Sequence, residues 1–260
     1  MLPYPFSYFS SIATPRKMFA NRKLMNLWQR LFTTIFLVAL LVIPPTLQTF
    51  SLETYPLDNF VEGIYQPLSD DVVTDLHTNS QLTGGKFVYT GTKQWEQVTF
   101  GDTVSNSTDF SFQFKESNLI IRKGQDVLAE ITYGGMSTDD FANKEQLRAA
   151  ISKNWYQANK AVVGLGVTLV SSFILAVNLL FILLGASFFL YLTKKSRLFH
   201  FRSFAECYNF SLNCLGFPTI IACLIGLFGQ PITTILTLQN ILFVLCLLWV
   251  FFKTKFRDEN

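Results

Sequence analysis

Four stretches of the chain carry apolar residues with no Asp, Glu, Lys or Arg among them: residues 31–50, 161–192, 207–228 and 231–252. Each reaches the ~20 residues that a helix needs to cross a hydrocarbon core about 30 Å thick, so the pattern predicts four transmembrane helices. The second run would be about 48 Å long as a helix and is expected to tilt, or to run on into the segment before it.

Between the first and second runs the period changes. Residues 86–90, 97–100, 109–115, 118–122 and 127–133 alternate or are rich in β-branched and aromatic side chains, as strands are. Turn signals divide them, among them Gly84-Gly85, Gly101-Asp102 and Lys123-Gly124-Gln125-Asp126, and a short antiparallel meander is expected. Ser137 or Thr138 is placed to cap a helix in which Phe141, Leu147, Ile151 and Trp155 fall mostly on one face, leading into the second membrane helix. Residues 51–82 read as loop and short helix. The expected fold class is an integral membrane α-helical protein, four transmembrane helices with both termini cytoplasmic, with a small extracytoplasmic α+β domain inserted between helices 1 and 2. The segments are 1–27 (cytoplasmic, interfacial), 28–50 (helix 1), 51–158 (outer domain), 159–193 (helix 2), 194–205 (basic loop), 206–228 (helix 3), 229–252 (outer turn and helix 4) and 253–260 (tail).

Composition agrees. Half of the 260 residues are hydrophobic, 15% are charged and 27 are Phe, which excludes a disordered chain, a disulfide scaffold and an ordinary soluble enzyme. Charge sets the orientation. Arg16, Lys17, Arg22, Lys23, Arg30, Lys194, Lys195, Arg197, Arg202, Lys253, Lys255 and Arg257 flank the apolar runs with only Glu206, Asp258 and Glu259 against them, whereas residues 51–160 hold 9 basic and 15 acidic residues. By the positive-inside rule the flanking segments are cytoplasmic and the central one is outside. Trp28, Tyr191, Tyr208 and Trp249 fall at the proposed inner boundaries and Trp155 and Tyr156 at the outer one.

The first run is expected to be an uncleaved anchor, because no small-x-small cleavage site follows it. Pro44 and Pro45 are expected to end or kink that helix, each lacking a backbone donor. Phe6, Phe9 and Ile12, spaced by three and followed by basic residues, suggest a segment lying in the headgroup region or, alternatively, a flexible tail whose charges only set topology.

Cys207, Cys214, Cys223 and Cys246 all lie in the last two membrane runs, where thiols act as small apolar groups. His77 and His200 fall on opposite sides of the membrane, and no metal or other cofactor is expected. Gly84-Gly85-Lys86-Phe87 lacks the first glycine and the hydroxyl residue of a phosphate-binding loop, and no intramembrane charge offers a proton relay. An autonomous ATPase or proton-coupled transporter is disfavoured, and the protein is expected not to be an enzyme. Nucleic acid is no expected partner, since the basic clusters are explained by topology.

Three sets of residues stand out. Arg202, Glu206, Asn209 and Asn213 fall within about a 60° arc of a helix at 100° per residue; they line either a polar cleft open to the cytoplasm or an interface of helix-to-helix hydrogen bonds with an Arg202 to Glu206 ion pair. Asn178, Gln239 and Asn240 share a depth of about 18 to 21 Å from the inner helix ends and could pair. Tyr89, Trp95 and Tyr133 could stack on sugar rings outside, or form the core of a small sheet.

The aromatic start with Phe6 and Phe9, Pro15-Arg16-Lys17 and Arg22, the anchor ending at prolines, the outer domain and a three-helix unit with Phe204, Tyr208 and Pro218 together resemble a membrane family of Gram-positive bacteria whose function is unassigned and whose members are often labelled maltodextrin utilization proteins. The last helices are also distantly similar to the Yip1-type membrane domain. The resemblance implies a plasma-membrane protein associated with maltodextrin uptake, and two readings follow: a non-enzymatic accessory that touches carbohydrate ABC transporter subunits, or a sensor whose outer domain binds a sugar or cell-wall fragment.

Overall fold

The computed structural model describes residues 3–196 and 199–258; Arg197 and Glu259, counted in the charge pattern, lie outside the described residues. The chain forms two compact units, one of residues 1–51 and 164–260, the other of residues 52–163.

The first unit is helical. Among the described residues four helices are long and apolar enough to cross a membrane: α3 (Leu27–Ser51), α5 (Lys144–Leu192), α6 (Phe204–Gly226) and α7 (Ile232–Thr254). α5 runs on into the preceding segment as expected, and the boundary between the units falls inside it. α6 is the most enclosed of the four, because it packs against both α3 and α7. Leu37 and Leu41 of α3 and Leu175, Leu179 and Leu183 of α5, repeating at one face of a 3.6-residue helix, are fully buried in the same core.

Pro44 and Pro45 do not end α3, which continues through them to Ser51. Packing outweighs the two lost backbone bonds: Pro44 lies against Gly226, where an added Cβ would stand 2.8 Å from its ring. One turn on, Gln48 Nε2 donates to the Gly226 and Gln230 carbonyls at 2.9 and 3.1 Å, tying α3 to the end of α6.

The N-terminal segment is folded and is not a flexible tail. It forms two short helices, α1 (Phe6–Ser11) and α2 (Pro15–Ala20), started by Thr14, whose hydroxyl accepts from Lys17 N. Tyr8, Ile12, Met18 and Phe19 are buried in the core with α6 and α7. Phe6 and Phe9 face outwards while Ile12 faces in, so the three do not form one surface.

In the second unit, α4 (Asp70–Asn79) is capped by Ser69 and leads into a hairpin of β1 (Ser80–Thr83) and β2 (Lys86–Tyr89) turning at Gly84-Gly85, both with positive φ. A separate sheet has the order β3 (Val98–Phe100), β4 (Phe110–Phe114), β5 (Asn118–Lys123) and β6 (Asp126–Thr132). This is not the expected meander, because β3 pairs parallel to β4. The chain of residues 101–109 doubles back, so that Phe112 N donates to Gln97 O at 2.8 Å and Gly101 N to Phe114 O at 2.9 Å. Ser137 caps only a 3-10 turn, Thr138–Phe141, and the side chain of Asn143 caps α5 through Gln146 N. Phe112, Phe114, Ile121 and Tyr133 pack with Leu147 and Ile151 of α5 and with Ile64 and Leu68 of the loop before α4. That loop is anchored by Tyr65 Oη to Ser152 Oγ at 2.8 Å and by Arg148 to Asp58 at 2.7 Å; burial pushes the Tyr65 hydroxyl up to about 12 despite its bond to Ser152.

Candidate functional site

The polar stripe of α6 meets the N-terminal segment. Ser203 starts the helix by accepting from Glu206 N at 3.2 Å, and the Glu206 carboxylate turns back to accept from the backbone N of Arg202 at 3.1 Å. The expected Arg202 to Glu206 ion pair is absent: Arg202 is exposed, and Glu206 lies 3.7 Å from Arg22 Nε instead. Asn209 Nδ2 donates to Met25 O and Asn213 Nδ2 to Met18 O, each at 3.1 Å, while Tyr8 Oη donates to Leu212 O at 3.1 Å. The two amides, 2% and 0% exposed, therefore line no open cleft and bridge no pair of membrane helices. They serve carbonyls at the end of α2 and in the turn before α3, which a folded-in segment has to satisfy away from water.

Arg22 closes this arrangement; in the sequence it counted as a topology charge and as part of the family resemblance. Its side chain is 1% exposed. Nη2 donates to both carboxylate oxygens of Asp258 at 2.7 and 3.0 Å and to His200 O at 3.2 Å, Nη1 donates to Phe19 O at 3.0 Å, and the guanidinium lies 4.0 Å over the Phe19 ring. One guanidinium nitrogen thus holds both the carboxylate and a carbonyl, and the charge on donor and acceptor shortens the bond to Asp258. The tail is shaped to reach it: Lys255 and Phe256 follow α7 with φ of 52° and 51°, a left-handed conformation that L side chains rarely adopt. His200 N holds Phe256 O at 2.9 Å, and Asp258 N donates to His200 Nδ1 at 3.0 Å. Phe19, Phe201, Phe210 and Phe256 stack around this point with every pair of ring centroids within 6.0 Å. Partial burial would raise the Asp258 carboxyl, but the Arg22 hydrogen bonds and charge, with Lys23 and His200, hold it below the usual range.

The second set divides. Asn178 and Asn240 exchange amide contacts at 3.4 and 3.5 Å between α5 and α7, whereas Gln239 turns to α6 and donates to Thr219 Oγ1 at 2.8 Å. Adjacent helix positions point about 100° apart, so neighbours 239 and 240 cannot serve one partner.

In the other unit, Tyr133 is 1% exposed and its hydroxyl donates to Lys115 O and Asn118 O at 3.1 Å each, which corrects its expected role as a sugar contact. Tyr89 stacks on Phe100 with centroids 3.6 Å apart and donates to Asp75 Oδ2 at 2.6 Å; Trp95 Nε1 reaches the same oxygen at 3.4 Å. Asn79 donates to Asp75 Oδ1 at 2.8 Å. Burial pushes the Asp75 carboxyl up, but these donors and nearby Lys93 outweigh it and hold it below the usual range; burial and Asp75 together raise the Tyr89 hydroxyl to about 12. Sequence reasoning passed over Asp75, although a carboxylate on the inner face of a short helix, three and four residues from Val72 and Asn79, was the available signal.

All four cysteines are free and buried, and Cys246 Sγ lies 3.6 Å from Met18 Sδ. Among the described residues no group of three or more His, Cys, Asp and Glu side chains could hold a metal ion.

The fold and this site define a class: a protein with four membrane-length apolar helices whose buried polar side chains hold its own N-terminal segment in place. The chain is 48% identical to the Maltodextrose utilization protein MalA of Streptococcus pneumoniae (strain ATCC BAA-255 / R6) over 263 residues, covering 100% of this chain and 99% of the relative, and it belongs to that protein's family. No family model and no solved structure matches the chain.

Proposed function

We propose that the protein is a non-enzymatic plasma-membrane accessory of maltodextrin uptake. The full-length kinship with a maltodextrose utilization protein carries this reading. Four helices span the membrane, both termini lie in the cytoplasm and residues 51–158 lie outside, an orientation supported by the basic residues that flank the apolar runs. The protein engages subunits of a carbohydrate ABC transporter rather than acting on the sugar. The sensor reading is the weaker one, because Tyr133 is buried and Tyr89 and Trp95 are engaged with Asp75 and Phe100 instead of offering a free stacking platform. The test is a pull-down of the tagged full chain in gentle detergent from cells grown with and without maltodextrin, read by mass spectrometry. Transporter subunits are expected in the eluate; the protein recovered alone in both media overturns the proposal.

A further inference from the structure

Between α3 and the part of α5 in the same unit runs an apolar groove of about 700 Å³, with walls that include Thr34, Val38, Ala39, Ser172 and Ala176. It extends along α3 from Leu31 to Leu47, about 24 Å at the rise of an α-helix. Near its far end Thr168 donates to Thr46 at 3.3 Å, joining the two walls.

At the other end stands Arg30. Four residues before Thr34, it lies one turn beyond the groove on the same face of α3. Its Nε and Nη2 both donate to the Met25 carbonyl at 3.3 Å, and no carboxylate meets it among the described residues. A half-buried guanidinium with spare donors at the mouth of an apolar slot is matched to a phosphate whose ester chains continue into that slot.

We propose that the groove holds one acyl chain of an anionic glycerophospholipid with its phosphate against Arg30. The proposal rests on the reading that these helices span a membrane. Half of a hydrocarbon core is about 15 Å deep, so a chain entering at Arg30 is accommodated before the crossing of Thr46 and Thr168. Ala39 and Ala176 leave the space that the chain fills.

The test uses the full chain extracted in mild detergent and read by native mass spectrometry after exposure to phosphatidylglycerol or phosphatidylcholine vesicles. Wild type is expected to retain one phosphatidylglycerol in preference to phosphatidylcholine. Ala39→Phe fills the groove and lowers retention about tenfold, a loss of about 1.4 kcal/mol; Arg30→Gln abolishes the preference for the anionic lipid. Leu245→Phe, on an exposed position of α7, changes neither and controls for bulk on an exposed helix face. Wild type that elutes free of lipid, or Ala39→Phe that retains as much as Leu245→Phe, overturns the proposal. So does a polypeptide, in place of lipid, captured by a photoreactive group on Ala39→Cys. Recovery of the wild type in the soluble fraction overturns the membrane reading as well, which separates the two failures.

Discussion

Asp75 shows how one side chain organises its surroundings. Buried at 4% exposure, it gathers donors from α4, from β2 and from the loop that carries Trp95. Removing the carboxylate would leave the half-buried donors of Tyr89 and Trp95 unpaired, so Asp75→Ala should destabilise the 52–163 unit by about 1 to 2 kcal/mol, measured as the urea midpoint of the full chain in detergent by tryptophan fluorescence. Because the folded-state pKa lies below the unfolded value, this contribution is present above the ordinary carboxylate range of about 4 and is lost as pH falls through the folded value. The wild-type midpoint should therefore decline on acidification below about pH 4 more steeply than that of Asp75→Asn; parallel declines would remove Asp75 as the cause.

At the level of elements, the seat of α1 and α2 on α6 depends on a glycine. A Cβ on Gly216 would stand 2.5 Å from Tyr8 Oη and 2.9 Å from Ile12 Cγ2, so Gly216→Leu should lift α1 off α6. Cys214 and Cys246 are buried beneath, and their maleimide labelling should accelerate about tenfold for each 1.4 kcal/mol of lost docking; unchanged labelling would mean that α1 shields nothing. Asp258→Asn weakens the grip on Arg22 and should speed tryptic cleavage at Arg16 and Lys17 a few-fold, while cleavage between residues 86 and 123 stays constant. Little of this docking was legible in the sequence. The membrane helices were, because an uncharged run of about 20 residues is a local signal, and so were the strands from β2 to β6, whose alternation and turn residues lie within a few positions of each other. By contrast Tyr8, Met18 and Phe19 are ordinary apolar residues in a short basic segment, and their partners lie some 200 residues away. The parallel pairing of β3 was hidden for a related reason: strand character is written in the strand, but its direction against β4 is decided by the path of residues 101–109. The stripe of Asn209 and Asn213 was readable as a face that avoids lipid, while the identity of what it met was not.

For the molecule as a whole, the proposed orientation, argued from the flanking cations, makes a direct prediction. Green fluorescent protein fused after Asn260 should fluoresce, and alkaline phosphatase inserted at Gly84-Gly85, an exposed turn, should be active; the reverse pattern would invert the topology. The bond from Arg22 to Asp258 joins residues 236 positions apart in the chain. At a ribosomal rate of 5 to 20 residues per second, roughly 12 to 47 s separate the synthesis of the two partners. Throughout that interval α1 and α2 have been made but their full seat on α6, α7 and the segment after α7 has not, so they are late to reach their final position. Arg22 is therefore enclosed only once Asp258 has been made.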